Sequence, residues 1–274
     1  MARALARELG ASYVSLTSHV YPAGERYIRV SRKVLKRCVL VADLEAEASS
    51  LWDILLARDA LLRSGAKRLI WIAPWMAYGR QDRPAQPRES VGGLVLGDVL
   101  RRSFRRIITL DAHSRRFIRS SHGALRSILP RDLMAAVALR RGATAIAAPD
   151  AGALRRAWQV ARRLRLPLIT CAKVRLGSGP GSVRVRITSG NPRDLRVMLV
   201  DDLLDSGGTL AAAAKALRDA GARAVLACVT HLAAPERRPE ARALLLGHLD
   251  ILYPRGRAKV AVELVRLLAH NLRR

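Results

Sequence analysis

The most chemically specific part of this sequence is a short run at residues 196–210. An apolar stretch at 197–200 predicts a buried strand, and two adjacent acids, Asp201 and Asp202, come directly after it. A loop of small and polar residues follows, and an alanine-rich helix is predicted at 210–218. The loop consists of Asp205, Ser206, Gly207, Gly208 and Thr209. Backbone N–H groups at a helix N-terminus bind phosphate, and glycines let the phosphate approach closely. This order indicates a phosphorylated-sugar site, whose acids accept hydrogen bonds from ribose hydroxyls or lie near a metal.

The formal net charge of +27 is extreme for 274 residues, and most of the 49 basic residues are arginines. A field of this sign attracts polyanions, so nucleic-acid binding has to be weighed. The arginines are spread along the whole chain rather than gathered in one stripe, and only 4% of the residues are aromatic. Nucleic-acid binders usually combine a basic surface with stacking aromatics. The composition therefore favours small anionic substrates over nucleic acid as partners.

The remaining composition predicts a globular protein of the cytoplasm. Half of the residues are apolar, yet no uninterrupted apolar run approaches the roughly 20 residues of a membrane span. The first ten residues indicate a helix rather than a signal peptide, because Arg3, Arg7 and Glu8 interrupt any apolar segment. Three cysteines without metal-like spacing are most simply explained by a reducing compartment.

The pattern of elements predicts an α/β protein with parallel sheets. Apolar strand-like runs at 38–42, 68–73, 107–110, 143–148, 168–171 and 224–230 alternate with helical patterns at 51–64, 94–102, 152–164 and 210–218. Each half carries about three strand–helix units, which predicts two similar domains with sheets covered on both faces. We place the boundary in the segment 135–142, giving domains at residues 1–138 and 139–274.

Polar clusters follow the predicted strands, as expected of ligand sites at the carboxyl ends of a parallel sheet. They lie at residues 78–83, 111–114, 149–152 and 173–175.

These clusters, together with the loop at 205–209, resemble the motifs of ribose-phosphate pyrophosphokinases, the synthetases of phosphoribosyl pyrophosphate (PRPP). The resemblance runs from about Leu9 to the C-terminal helix. Its strongest pieces are residues 74–83, 87–89, 111–113 and 149–152. The loop alone would indicate only a type I phosphoribosyltransferase fold, whereas its combination with the Arg-Gln-Asp-Arg run ending at Arg83 is far more specific. The resemblance implies two phosphoribosyltransferase-type domains, with the nucleotide bound by the first and ribose 5-phosphate by the second.

The resemblance also implies which residues contact ATP. Arg80 and Gln81 match the family's ATP-binding pair, while Tyr21, Gly24 and Glu25 match a segment that lies along the adenine and its ribose. Ala23 stands where the family usually has an acid or an amide, so one polar contact is lost there. Read without the family, residues 80–83 are also compatible with a solvated loop.

The implied metal is Mg²⁺, held near His113 and Asp150. A buried, hydrogen-bonded core histidine is the alternative interpretation of His113. Asp150 is also suited to cap the helix that follows it. The stretch after His113 departs from the family pattern, so subunit contacts and regulation cannot be carried over.

Lys173 and Arg175 match the two cations of the family's mobile catalytic loop, with a surface hairpin as the alternative. Arg175 is implied to contact ribose 5-phosphate as well, together with Asp201, Asp202 and residues 205–209. Arg184 and Arg186 are weaker candidates for additional positive charge when the loop closes.

The implied reaction transfers the β,γ-diphosphoryl group of ATP to the anomeric hydroxyl of ribose 5-phosphate, which gives PRPP and AMP. A homo-oligomer, from dimer to hexamer, is implied as well. Two alternatives stay open at this point. One is a phosphoribosyltransferase that consumes PRPP, and the other is a homologue that binds nucleotide or partner subunits with little or no activity.

Overall fold

The computed structural model describes residues 1–175, 183–233, 248–253 and 262–273. It is an α/β fold that divides into two compact units, Met1–Ile128 with Val265–Arg274, and Leu129–Leu264. The expected α/β class with mainly parallel sheets is therefore confirmed. No helix in the described part of the chain is long and apolar enough to cross a bilayer.

The first unit contains a four-stranded parallel sheet whose strands follow chain order: β3 (Arg37–Val41), β4 (Arg68–Ala73), β5 (Ile107–Leu110) and β6 (Leu125–Ile128). A separate antiparallel hairpin precedes it, formed by β1 (Leu16–Val20) and β2 (Arg26–Val30). The helices are α1 (Ala2–Leu9), α2 (Ala48–Arg63), α3 (Gly92–Ser103) and α4 (Arg115–Ser120). The core packs around the fully buried Trp71, Leu100, Ile107 and Phe117.

The second unit contains a six-stranded sheet in the order β12-β11-β10-β7-β8-β9. Its strands are β7 (Ala145–Ala148), β8 (Leu168–Arg175), β9 (Val183–Ser189), β10 (Arg196–Leu204), β11 (Ala224–Leu232) and β12 (Leu249–Tyr253). Among the described strands of this sheet, only the pair β8–β9 is antiparallel. Helices α5 (Arg131–Arg140), α6 (Leu154–Leu164) and α7 (Gly208–Asp219) belong to this unit, and α8 (Val262–Arg273) ends the chain.

Two apolar layers bury the faces of this second sheet. One layer joins α5 and α6 to the strands through Met134, Val137 and Val160, and the other joins α7 through Leu210 and Leu217. The sheet is thus covered on both faces, as parallel sheets require. The predicted boundary at residues 138 and 139 falls inside helix α5, which packs here against α6. The boundary itself stays a prediction.

Helix α3 and helix α4 approach each other closely at Gly97. A Cβ atom at this position would overlap the Ser120 hydroxyl and would lie 2.6 Å from Ser120 Cβ and 2.9 Å from its carbonyl carbon. The Ser120 hydroxyl also donates a hydrogen bond to Gly93 O at 3.3 Å. The contact between the helices therefore depends on the absence of a side chain at residue 97.

We predict that Gly97→Ala lowers the free energy of unfolding by about 1–3 kcal/mol, the usual cost of overpacking a closely packed contact. The matched control is Val95→Ala on the same helix, because Val95 is 63% exposed and its truncation removes little packing. Urea unfolding of the two variants and the wild type measures the effect. Equal midpoints for Gly97→Ala and the wild type would contradict the packing described here.

Candidate active site

The polar residues of the second unit gather where the sheet reverses its strand order. After β7 the chain moves to β8 on one side, and it later returns to place β10 on the other side of β7. In open α/β sheets, the crevice at the carboxyl ends of two such strands is the usual ligand site. Asp150 follows β7, and Asp201 and Asp202 lie on β10.

Asp201 and Asp202 face the guanidinium of Arg156, which projects from α6. Arg156 Nη1 lies 3.4 Å from Asp201 Oδ1, and Arg156 Nη2 lies 3.6 Å from Asp202 Oδ1. The backbone N–H of Asp202 donates to Asp201 Oδ1 at 2.9 Å. All three side chains are largely buried, with exposed fractions of 7% for Arg156, 15% for Asp201 and 6% for Asp202.

The acids were expected to follow their strand, and that detail is wrong. Strand β10 continues in parallel register with β11 as far as Leu204 and Leu232, so both acids lie inside it. Consecutive strand residues point to opposite faces of a sheet. Their shared contact with Arg156 shows that one cation nevertheless reaches both carboxylates.

Burial raises the pKa of Asp201 well above its ordinary range. The negative charge of Asp202 adds to this rise in pKa, as does that of Asp150 more weakly, whereas the positive charge of Arg156 opposes it. Three carboxylates thus influence one another at the switch point, and a single buried guanidinium offsets part of their charge. Such a cluster is electrostatically costly, which is a common property of functional sites.

The loop after β10 has the geometry expected of a phosphate cradle. Gly207 has a φ angle of +78°, in the left-handed region that favours glycine, and α7 begins at the next residue. The Ser206 hydroxyl accepts a hydrogen bond from the backbone N–H of Gly208 at 3.5 Å. Asp205 and Thr209 are half-buried at the two ends of the loop. The N-terminus of α7 therefore opens next to the acids of β10.

Lys173 lies next to this loop, because its Nζ donates a hydrogen bond to Thr209 Oγ1 at 3.1 Å. Lys173 and Arg175 belong to β8, which pairs with β9 and places Lys173 opposite Val185. Arg184 and Arg186 pair instead with Val174 and Ala172. Residues paired across two strands share a face, so these arginines lie on the face opposite Lys173. The glycine-rich segment at 176–182, expected to be a mobile loop, lies outside the described residues.

Asp150 fixes the turn between β7 and α6. Its Oδ1 accepts hydrogen bonds from the backbone N–H groups of Gly152 at 2.9 Å and Ala153 at 3.2 Å. Helix α6 begins at Leu154, slightly later than predicted, so Asp150 caps the turn that precedes the helix. This bonding holds the carboxylate in place at the end of β7.

In the first unit, Arg80 and Gln81 lie on an exposed turn after β4 that is fastened to α3. The N–H of Gln81 donates to Tyr78 O at 3.0 Å, and the N–H of Gly93 donates to Gln81 O at 2.9 Å. The hydroxyl of Tyr78 donates to Ala46 O at 2.7 Å. These hydrogen bonds fix the backbone of the turn that carries Arg80 and Gln81 after the carboxyl end of β4.

Tyr21, Gly24 and Glu25 form the exposed tip of the β1–β2 hairpin. The N–H of Tyr21 donates to Glu25 O at 2.8 Å, and Gly24 has a φ angle of +88°. The ring of Tyr21 packs edge-on against His19, with 4.6 Å between the ring centroids. Directly after the tip, Arg26 forms an ion pair with Asp53 on α2, which anchors the hairpin.

His113 is exposed, so its interpretation as a buried core histidine is wrong. It lies between Asp111, whose N–H donates to Ile128 O at 2.8 Å, and Ser114, which caps α4 by accepting from the N–H of Phe117 at 3.0 Å. The imidazole is therefore presented on the loop that follows β5.

The available donors fit Mg²⁺ in the manner usual for phosphate-bound magnesium. No group of three or more His, Cys, Asp or Glu side chains that could hold a metal occurs among residues 1–175, 183–233, 248–253 and 262–273. Magnesium at phosphate sites usually binds one or two carboxylates and takes its other ligands from water and substrate phosphates. A single ordered carboxylate such as Asp150 meets that requirement.

Sequence reasoning missed Arg156, although a signal was present. The buried residues of α6 are Arg156, Ala157, Val160 and Ala161, which follow the helical spacing of one face. An arginine on the apolar stripe of a helix needs a buried acid as its partner. Two unexplained acids at 201 and 202 supplied that partner.

Comparison with known proteins supports the arrangement of two domains. The N-terminal domain of ribose phosphate pyrophosphokinase matches residues 1–103, and the phosphoribosyl transferase domain matches residues 131–251. The ribose-phosphate pyrophosphokinase of Pyrococcus abyssi is 31% identical over 212 residues, covering 77% of this chain and 74% of the relative. That of Wolinella succinogenes is 33% identical over 237 residues, covering 83% and 74%.

The fold is also similar to a solved structure. The phosphoribosylpyrophosphate synthetase from Mycobacterium smegmatis matches with a TM-score of 0.80 at 24% identity, covering 99% of this chain and 93% of the other. The expected architecture of two phosphoribosyltransferase-type domains is thereby confirmed.

The raised pKa of Asp201 predicts an effect of pH on stability. A carboxyl whose folded pKa exceeds its unfolded value of about 3.9 favours the folded state most at low pH. That contribution is lost as the pH rises from the unfolded pKa through the folded pKa. We predict that Asp201→Asn is more stable than the wild type at pH 7.5, because the variant buries one charge fewer and keeps an oxygen for the N–H of Asp202. The difference shrinks as the pH falls towards 4.

Thermal unfolding of both proteins between pH 4 and 7.5 measures this difference. Asp219→Asn, which changes an exposed carboxylate on α7, serves as the control and has no comparable pH-dependent gain. A variant less stable than the wild type at pH 7.5 would show that the charge on Asp201 is not costly to the fold.

Proposed function

The chain belongs to the ribose-phosphate pyrophosphokinase family, and from that premise we propose how its residues share the work of the reaction. The function is the transfer of the β,γ-diphosphoryl group of ATP to ribose 5-phosphate. One observation supports the assignment of the sugar site: two largely buried acids on β10 precede a phosphate-type loop at the N-terminus of α7, and Lys173 donates a hydrogen bond to Thr209 of that loop.

The second unit binds the acceptor sugar phosphate. The N–H groups at the start of α7 and in the loop 205–209 bind the 5-phosphate, because they carry the positive end of the helix dipole. Asp201 and Asp202 accept hydrogen bonds from the ribose hydroxyls. Ser206 and Thr209 supply hydroxyl donors, and Arg175 adds a contact to the sugar phosphate.

The first unit binds the nucleotide. Arg80 offers a planar fork of donors for phosphate oxygens, and Gln81 beside it reaches the base or the ribose. Tyr21 stacks on the adenine, while Gly24 and Glu25 shape the hairpin tip around it. Ala23 leaves this tip without one polar contact, so the nucleotide is held more weakly than an acid or amide there would allow.

Mg²⁺ is the proposed cofactor, which Asp150 would hold through its carboxylate and to which the family resemblance also assigns His113. When bound, it neutralises charge on the transferred phosphates and holds them in line with the acceptor.

The reaction needs no covalent enzyme intermediate. The anomeric oxygen of ribose 5-phosphate bonds to the β-phosphorus of ATP, and the bond from that phosphorus to the α,β-bridging oxygen breaks. AMP leaves with the bridging oxygen, and the hydroxyl proton passes to solvent. Catalysis of this kind rests on positioning and on stabilising negative charge spread over the phosphate oxygens. Lys173 and Arg175 supply that charge, and Lys173 already lies at the phosphate loop through its bond to Thr209.

The cytoplasmic location and the assembly into a homo-oligomer, from dimer to hexamer, are further proposals. They rest on the family alone.

We predict that the protein forms AMP from Mg-ATP only when ribose 5-phosphate is present. Lys173→Ala lowers kcat at least about a hundredfold, the scale of losing one preorganised electrostatic donor. The control is Lys215→Ala, which removes an exposed lysine of α7 that pairs with Asp219. Measuring the rate of AMP release by each protein at saturating ATP and ribose 5-phosphate tests the reaction directly.

Absence of AMP with the wild type under any condition would overturn the proposed reaction and favour a homologue that only binds nucleotide. Release of diphosphate from PRPP in the presence of a purine or pyrimidine nucleobase would favour a phosphoribosyltransferase instead.

A further inference from the structure

Arg156 is the only buried lysine or arginine among the side chains that the structure describes, those of residues 1–174, 184–233, 248–253 and 262–273. In a chain with 49 basic residues, its position on the inner face of α6 is unusual. Its neighbours on that face, Ala157, Val160 and Ala161, pack in an apolar layer. A buried ion pair is often no more stable than apolar residues of similar volume. The gain in stability alone therefore does not explain an arginine at this position.

The geometry offers a different explanation. The two terminal nitrogens of the guanidinium are divided between the two acids, with Nη1 directed to Asp201 at 3.4 Å and Nη2 to Asp202 at 3.6 Å. A planar fork can bridge two carboxylates in this way because its donors point in fixed directions, whereas the three donors of a lysine ammonium rotate about a single nitrogen. Together with the bond from the N–H of Asp202 to Asp201 Oδ1, the fork holds both side chains.

We propose that Arg156 is a positioning residue, which fixes Asp201 and Asp202 in the orientation that receives the ribose hydroxyls. This inference rests on the proposed function of the two acids as sugar ligands. Arg156 does not contact the sugar itself. It acts only through the two carboxylates that it holds. The role belongs to this arginine specifically, since its neighbour Arg155 is exposed on the outer side of the same helix.

Helix α6 also links this cluster to the proposed metal site. The carboxylate of Asp150 binds the N–H groups of Gly152 and Ala153 in the turn just before the helix, and Arg156 follows in the first turn of α6. One rigid element therefore sets the position of Asp150 relative to Asp201 and Asp202. A change at Arg156 is expected to disturb the sugar more than the nucleotide, because no nucleotide ligand proposed above lies on α6.

Steady-state kinetics with three variants tests the proposal. Arg156→Gln removes the charge, Arg156→Lys keeps the charge without the fork, and Arg155→Gln is the matched control on the exposed face. We expect Arg156→Gln to raise KM for ribose 5-phosphate at least about tenfold, the scale of a lost hydrogen bond to a charged group. KM for ATP changes by less than about twofold, because no hydrogen bond to the nucleotide is lost. Arg156→Lys keeps the unfolding temperature close to that of the wild type but does not restore KM, and Arg155→Gln resembles the wild type throughout.

An unchanged KM for ribose 5-phosphate in Arg156→Gln would overturn the inference. Equal increases in both KM values, or full rescue by Arg156→Lys, would overturn it as well, since they indicate a general structural role. Calorimetric titration with ribose 5-phosphate alone separates this inference from the proposed reaction. If the wild type binds the sugar without forming AMP, the proposed reaction is refuted. The affinities of the wild type and Arg156→Gln for ribose 5-phosphate then still test the positioning role. A wild type that does not bind the sugar refutes both.

Discussion

The proposed sugar site depends on the contact between one buried guanidinium and two adjacent carboxylates at the point where the second sheet reverses its order. Arg156 reaches Asp201 and Asp202 from α6, which packs against both β7 and β10. Without a cation, two charges of the same sign at this depth would repel each other and favour protonation. Protonated acids accept fewer hydrogen bonds, so the ion cluster maintains the acceptors that the proposed sugar site requires.

The elements around this cluster follow from the same constraint. Parallel strands deliver their carboxyl ends to one edge, which brings Asp150, the two acids and the loop at 205–209 together. The start of α7 contributes a positive dipole, and Lys173 reaches the loop from β8. The carboxylates proposed to bind the ribose hydroxyls thus lie near the cationic groups proposed to bind the phosphate. The overall charge of +27 surrounds this arrangement with a field that attracts anionic substrates.

Much of the fold could be predicted from the sequence because its central strands are short apolar runs. The strands at 68–73 and 107–110 were predicted with the bounds observed. Three residues of the first strand and all four of the second are buried, so each reads as an apolar run. The β1–β2 hairpin was missed because all five residues of β1 are exposed and show no alternation. Strand β9 was missed although Val183, Val185 and Ile187 alternate with polar residues, a pattern of period two. The acids were identified, but their buried partner was not, because the helical spacing that places Arg156 on the buried face of α6 does not indicate which carboxylates it meets.

Whether Asp201 and Asp202 hold the ribose hydroxyls is best tested by comparing two sugars rather than two proteins. Calorimetric titration of the wild type with ribose 5-phosphate and with 2-deoxyribose 5-phosphate measures the contribution of the 2-hydroxyl to binding. If the buried acids hold the ribose hydroxyls, the deoxy sugar binds at least about tenfold more weakly, because a hydrogen bond to a charged group contributes about 1.5–3 kcal/mol. Equal affinity for the two sugars would show that the buried acids do not hold the 2-hydroxyl, which would contradict their role in binding ribose.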